Sequence, residues 1–144
     1  MRDRCAPIVL GAALLSCGAH AQFTEADART AIKQAGGPEP FLQEMARQTA
    51  KQLPQQINAE MELRSVAALG RRISYTARML NVEKAQVHDL AALKRANLNF
   101  AGCSTPVLGV LIREHGVRVS YLTIAKGTEF LFSYELNAET CKGR

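Results

Sequence analysis

The sequence is poor in cysteine and in long apolar runs, and each shortage excludes a class of protein. Its main apolar run, from Ala6 to Leu15, is too short to cross a bilayer as a helix, which needs roughly 20 apolar residues. The chain has no Cys-x-x-Cys pair and no Gly-x-Ser-x-Gly motif, so neither a dithiol redox site nor a hydrolase nucleophile turn is indicated.

The start of the chain has the pattern of a secretory leader. A short, positively charged segment precedes the apolar run, and the small residues Ala19 and Ala21 precede Gln22 as at a cleavage site. We therefore expect residues 1–21 to be a signal peptide cleaved after Ala21. Residues 22–144 would then form one exported domain, in the periplasm or outside a bacterium of Gram-negative type.

A second reading of the leader involves a lipid anchor. The segment Leu-Leu-Ser-Cys, from Leu14 to Cys17, is similar to a bacterial lipobox. In this alternative Cys17 is lipidated and becomes the N-terminus of a lipoprotein. Both alternatives place the domain beyond the inner membrane, and they allow membrane contact only through this anchor.

The cysteines indicate a disulfide. Two of the four belong to the leader region, so Cys103 and Cys141 alone remain in the exported domain. Two thiols in an oxidising compartment usually pair, and the isolated positions of His88 and His115 do not suit a metal site. We predict a structural Cys103–Cys141 disulfide that contributes about 4 kcal/mol, and neither a metal nor a cofactor.

Segments of helical spacing alternate with segments of strand spacing. Helices are predicted within 23–37, 40–53, 82–102 and 105–116. Strands are predicted over 60–69 and 72–80 as one hairpin, and within 117–136 as a second hairpin that turns at Lys126-Gly127.

The alternation of residues in the second hairpin predicts which side chains lie on each face of the sheet. One face would carry Phe130, Phe132, Tyr134 and Leu136, and the opposite face would carry Leu131 with Leu122 and Ile124. The whole pattern predicts an α+β domain of two layers. An antiparallel sheet of about four strands, built from two hairpins, is covered by helices and held by one disulfide.

The clearest basic cluster lies on the first hairpin. The chain has a formal net charge of +5, and Arg64, Arg71, Arg72 and Arg78 lie in or beside this hairpin. They are the candidate partner-binding residues, for another protein or an envelope component, although a solvated basic face has the same pattern. Nucleic acid is not expected, because the domain is exported and aromatic residues do not interleave with the arginines.

Few residues suggest catalysis. His88 and Asp89 are neighbours, but neighbours on a helix point to different sides. Glu60 and Glu62 would share a strand face, yet nothing indicates the sugar cleft that a carboxylate pair requires. His115 precedes Gly116 at a helix end, where a cation suits the macrodipole. No catalytic residue is therefore predicted.

The chain from Leu53 onward resembles a broad group of small exported bacterial proteins of unassigned function. Their pattern is a Leu-Pro pair, a hairpin with a tyrosine, a cysteine near a proline, a Gly-Val strand, a glycine turn and a final cysteine. The matching residues are Leu53, Pro54, Ile57, Leu63, Ser65, Ile73, Tyr75, Cys103, Pro106, Gly116, Val117, Val119, Tyr121, Gly127 and Cys141. The resemblance implies an exported disulfide-bonded domain and brings no catalytic residues.

Three functions fit these observations. The first is a non-enzymatic binding or accessory protein, such as an immunity or inhibitor protein or an accessory factor of a secretion machine. The second is a secreted virulence-type factor, and the third is a small envelope enzyme whose site the sequence does not reveal. The first is favoured because the sequence shows no combination of residues that is typical of an active site.

Overall fold

The computed structural model describes residues 22–144, so the predicted signal peptide and Cys17 lie outside the described residues. The helices are α1 (Glu25–Gln34), α2 (Pro38–Ala50), α3 (Leu90–Asn97) and α4 (Pro106–His115). The strands are β1 (Gln55–Asn58), β2 (Met61–Leu69), β3 (Arg72–Met79), β4 (Arg118–Ile124) and β5 (Phe130–Leu136). Within residues 22–144, no helix combines the length and the apolar character that crossing a membrane requires.

The described strands form one mixed sheet in the order β1-β2-β3-β4-β5. The α+β class is confirmed, but the prediction of about four strands, all antiparallel, was wrong in two respects. The short edge strand β1 is a fifth strand, and β3 pairs with β4 in parallel. Parallel neighbours need a long crossover, and here the chain between them contains α3 and α4.

Local sequence signals define the ends of α1 and α4. The Thr24 hydroxyl accepts from the Asp27 backbone N–H, and the Asp27 carboxylate accepts from the Thr24 N–H, which is a capping box. Helix α4 begins with Pro106 and ends at Gly116, whose φ of 63° is left-handed.

The predicted helix over 82–102 is shorter than its periodicity indicated. Helix α3 begins only at Leu90, because the Asp89 carboxylate caps it by accepting from the Ala92 N–H at 2.8 Å. Two short 3-10 turns, Lys84–Gln86 and Ala101–Cys103, occupy the flanking parts of the segment.

All four described helices pack on one face of the sheet. The side chains between the helices and this face form the core of the domain. The larger cluster lies under α1, α2 and α4 and includes Phe41, Leu42, Ile73, Leu111, Val119 and Leu136. The smaller cluster lies under α3 and the loop before it, and consists of Met79, Ala125, Leu131 and Phe132 with partly buried neighbours. The predicted two-layer architecture is therefore confirmed.

A bulge in β5 corrects the predicted faces of this strand. Thr123 pairs with Phe132 and Ile124 pairs with Phe130, so Leu131 is an extra residue in β5. Leu131 is 3% exposed in the smaller core cluster, whereas Phe130 is 51% exposed. The simple alternation had assigned these two residues the other way round.

The predicted disulfide is present and joins the helical layer to the sheet. Cys103 ends the 3-10 turn before α4, Cys141 follows β5, and their Cα atoms are 5.4 Å apart. Gly109 of α4 lies against this turn, since a Cβ atom there would stand 2.9 Å from the Cys103 carbonyl oxygen. The Arg113 guanidinium donates to the same oxygen at 2.9 Å, which fixes the turn on α4.

Candidate functional site

The opposite face of the sheet, here called the open face, is the surface that the described helices leave uncovered. Its side chains alternate with the core residues, and the strand registers align them in rows across the sheet. None of the side chains in these rows is buried. From one end of the sheet to the other, the rows are Leu69, Arg72 and Arg118; then Ala67, Ser74, Ser120 and Glu135; then Ser65, Thr76, Leu122 and Ser133; then Glu62, Arg78, Ile124 and Phe130.

The four arginines predicted as one cluster fall into separate environments. Arg78 and Arg64 both pair with Glu62, at 2.6 Å and 3.2 Å, at the end of the open face that also carries Phe130. Arg78 is only 26% exposed, and its Nε has no hydrogen-bond partner among the described residues. Both arginines therefore already form an ion pair with Glu62 within the fold.

Arg72 lies at the other end of the open face, in a row with two residues from neighbouring strands. Its register partner on β2 is Leu69, and its register partner on β4 is Arg118. Arg72 also pairs with Glu135 at 3.4 Å. Arg118 lies outside the cluster predicted on the first hairpin, because only the parallel β3–β4 pairing brings it beside Arg72.

Arg71 turns from the open face towards the helical layer. Its guanidinium donates to the His115 carbonyl oxygen at 3.2 Å and lies 3.8 Å from the Glu39 carboxylate. His115 is in the last turn of α4, as predicted for a residue that complements the helix dipole. Arg71 therefore borders the basic end of the sheet and also stabilises the end of α4.

Two shallow hollows lie at this end of the molecule and meet at Gly116 and Arg118. One, of about 420 Å³, is lined by Leu69, Arg71, Arg72, Gly116 and Arg118. The other, of about 440 Å³, is lined by Gly116, Arg118, Glu135, Asn137, Ala138 and Glu139. The first hollow is thus lined by three arginines and no carboxylate, while the second is mixed.

The residues considered for catalysis do not converge. Asp89 is occupied as the cap of α3, and His88 beside it is exposed. Glu60 lies in the β1–β2 turn, whereas Glu62 is held on the open face by two arginines. Among residues 22–144 no group of three or more His, Cys, Asp or Glu side chains could hold a metal ion.

Three tyrosines form a stacked ladder on the core side of the sheet. The rings of Tyr75 and Tyr121 are 5.6 Å apart, and those of Tyr121 and Tyr134 are 4.9 Å apart. Burial raises the pKa of Tyr121 to about 12, and it raises the pKa of Tyr75 and of Tyr134 as well. These phenols are therefore neutral at physiological pH and serve packing.

Comparison with solved structures identifies three proteins of similar fold. A Pseudomonas aeruginosa protein described as secreted matches with a TM-score of 0.59 at 13% identity, over 77% of this chain and 96% of that one. The type II secretion system pilotin AspS of Vibrio cholerae matches with a TM-score of 0.52 at 10% identity, over 78% and 97% of the two chains.

The third similar structure is the pilotin EpsS of the Vibrio vulnificus type 2 secretion system. It matches with a TM-score of 0.56 at 9% identity, over 81% of this chain and 99% of that one. No family model and no curated protein matches the sequence. At these identities the comparisons show a shared fold, and this chain has the fold of two pilotins and of a protein described as secreted.

Proposed function

We propose that this protein is an exported, non-enzymatic accessory protein of a bacterial secretion machine, and that it acts by binding another protein. One observation carries the proposal: the chain matches two type II secretion pilotins over almost their whole length. The shape of the described surface supports it, because the two hollows are shallow and open and therefore suit a protein surface better than an enclosed small substrate.

Export is part of this proposal. The disulfide is the kind of bond that persists in an oxidising compartment, and the sequence of residues 1–21 predicts a leader. We propose that the leader is cleaved after Ala21; the alternative is lipidation of Cys17. The mass of the mature N-terminus distinguishes the two, since cleavage leaves Gln22 as the first residue and lipidation leaves acylated Cys17.

Deletion of the gene in its host tests the proposed function. We expect proteins that normally leave the cell to accumulate in the periplasm of the deletion strain, and we expect the full-length wild-type gene to restore their release. Pull-down of the tagged protein from solubilised envelopes should recover a component of the secretion machine. Normal secretion by the deletion strain, with no such component recovered, would contradict the proposal.

A second function has one specific observation in its favour. The match to the P. aeruginosa protein described as secreted suggests a second function, that of a factor that acts outside the cell. Cell fractionation separates the two functions, because a secretion accessory protein stays with the envelope whereas a secreted factor collects in the medium.

A further inference from the structure

We propose that the basic row, defined as Leu69, Arg72 and Arg118 across β2, β3 and β4, binds an acidic segment of the protein partner. This inference rests on the proposed function and deepens it, since it names the surface and the chemistry that the surface recognises. The occupant to which it commits is a stretch of partner chain that carries carboxylates beside an apolar side chain.

Two arginines stand next to each other in the basic row. Arg72 and Arg118 are register partners on neighbouring strands of the open face, so two basic side chains leave the sheet side by side. Like charges directly opposite each other destabilise a sheet. Glu135 offsets this repulsion only through its 3.4 Å pair with Arg72, because among the described residues no carboxylate forms an ion pair with Arg118.

A basic hollow of about 420 Å³ adjoins the row. Three of its five lining residues are arginines, and none is acidic. A guanidinium presents a planar fork of donors that matches a carboxylate in a bidentate pair. Arg71 is held by Glu39 and by the His115 carbonyl oxygen, so the guanidinium open to an approaching carboxylate is that of Arg118. Arg72 can exchange its own 3.4 Å partner Glu135 for a closer one.

The basic row also contains an exposed apolar residue. Leu69 is 85% exposed, the largest exposed fraction among the large apolar side chains described. A single exposed leucine is common on surfaces, but this one adjoins the basic hollow. Burying it under a partner side chain would add an apolar contact to the ion pairs, as in the apolar core of many protein interfaces.

The opposite end of the open face provides a matched control. Arg64 is 42% exposed and pairs with Glu62, which also neutralises Arg78. Reversing the charge at Arg64 therefore changes the net charge as much as reversing it at Arg118 does, without touching the basic row. A difference in binding affinity between the two variants therefore depends on where the charge lies and not on the net charge of the protein.

The test uses the protein purified from the envelope and a synthetic amphipathic peptide of glutamate and leucine as the probe. We expect amide shifts of Leu69, Arg72 and Arg118 in NMR titrations, and none with the same peptide carrying glutamine for glutamate. Arg118→Glu should weaken the affinity at least about tenfold, whereas Arg64→Glu should change it less than about twofold. If Arg118→Glu does not fold, Arg118→Ala serves in its place, and we expect it to lose an intermediate amount of affinity for the peptide.

Several outcomes would overturn the inference. These are equal losses in the Arg64 and Arg118 variants, shifts confined to the core side of the sheet, and binding to phosphatidylglycerol vesicles in place of the peptide. In the host, full rescue of secretion by Arg118→Glu would overturn the basic row while the proposed function stands. Peptide binding at the row without any secretion defect in the deletion strain would overturn the proposed function instead.

Discussion

The tyrosine ladder shows what burial does at the scale of single residues. Tyr75, Tyr121 and Tyr134 occupy one line across β3, β4 and β5, and they are all the tyrosines that the chain contains. They bridge the two core clusters, because Tyr134 contacts both of them. Ionising any of these phenols would place a negative charge in largely apolar, partly buried surroundings, which explains their raised pKa values.

We expect the three phenols of this ladder to ionise at a higher pH than an exposed tyrosine does. An exposed tyrosine has a pKa of 10.0, whereas that of Tyr121 is raised to about 12 in the folded protein. The unfolded chain therefore loses these protons first, so stability is full below pH 10 and falls as the pH rises from 10 through 12. Absorbance at tyrosinate wavelengths should show little ionisation near pH 10 while circular dichroism remains native.

Two comparisons make the tyrosine prediction specific. In denaturant all three phenols should titrate together near their ordinary pKa. Tyr75→Phe should remove the latest part of the folded-state transition, because burial raises the pKa of Tyr75 more than that of the other two. A folded protein in which the three tyrosines are half ionised at pH 10 would show that the ladder is solvated.

At the scale of elements, the bulge in β5 determines which side chains enter the core. We expect Leu131→Ala to lower the free energy of unfolding by about 2–3 kcal/mol, because it removes buried methyl groups and leaves a cavity. Phe130→Ala removes a larger side chain but should cost less than about 1 kcal/mol, since half of that ring is exposed on the open face. Urea denaturation of both variants measures the difference.

The Phe130 variant is the control for the Leu131 variant, because the two positions are adjacent in one strand. The simple alternation of the sequence predicts the opposite order of costs. A larger loss for Phe130→Ala would therefore restore that alternation and remove the bulge.

Element boundaries were predictable wherever the signal was local. The first hairpin was expected at 60–69 and 72–80 and is found at Met61–Leu69 and Arg72–Met79. The β1 strand was missed because it has four residues, Gln-Gln-Ile-Asn, of mostly polar character. The bulge was missed because one extra residue reverses the faces without changing composition.

At the scale of the whole molecule, strand pairing is what the sequence left open. Periodicity shows that a segment is a strand but not which strand lies beside it, so the parallel β3–β4 pair was not foreseen. The same limit affected the candidate site. The first hairpin alone predicts Arg72 on its polar face and Arg71 beside its turn, whereas Arg118 lies beside Arg72 only through that pairing.

The disulfide is the covalent link between the two layers of the molecule. It closes a loop of 38 positions that contains α4 and both strands of the second hairpin. Constraining a loop of this length in the unfolded chain is worth about 4 kcal/mol. Domains of this size have total stabilities of roughly 5–15 kcal/mol, so this one bond is a large part of the whole.

We therefore expect the double variant Cys103→Ala with Cys141→Ala to lose about 4 kcal/mol in urea denaturation. The single variant Cys103→Ala should lose nearly as much, because either change opens the same bond, and the two losses should not add. A reductant should shift the wild-type midpoint to that of the double variant and leave the double variant unchanged. If the wild type and the double variant share one midpoint in oxidising buffer, the layers are held by packing alone.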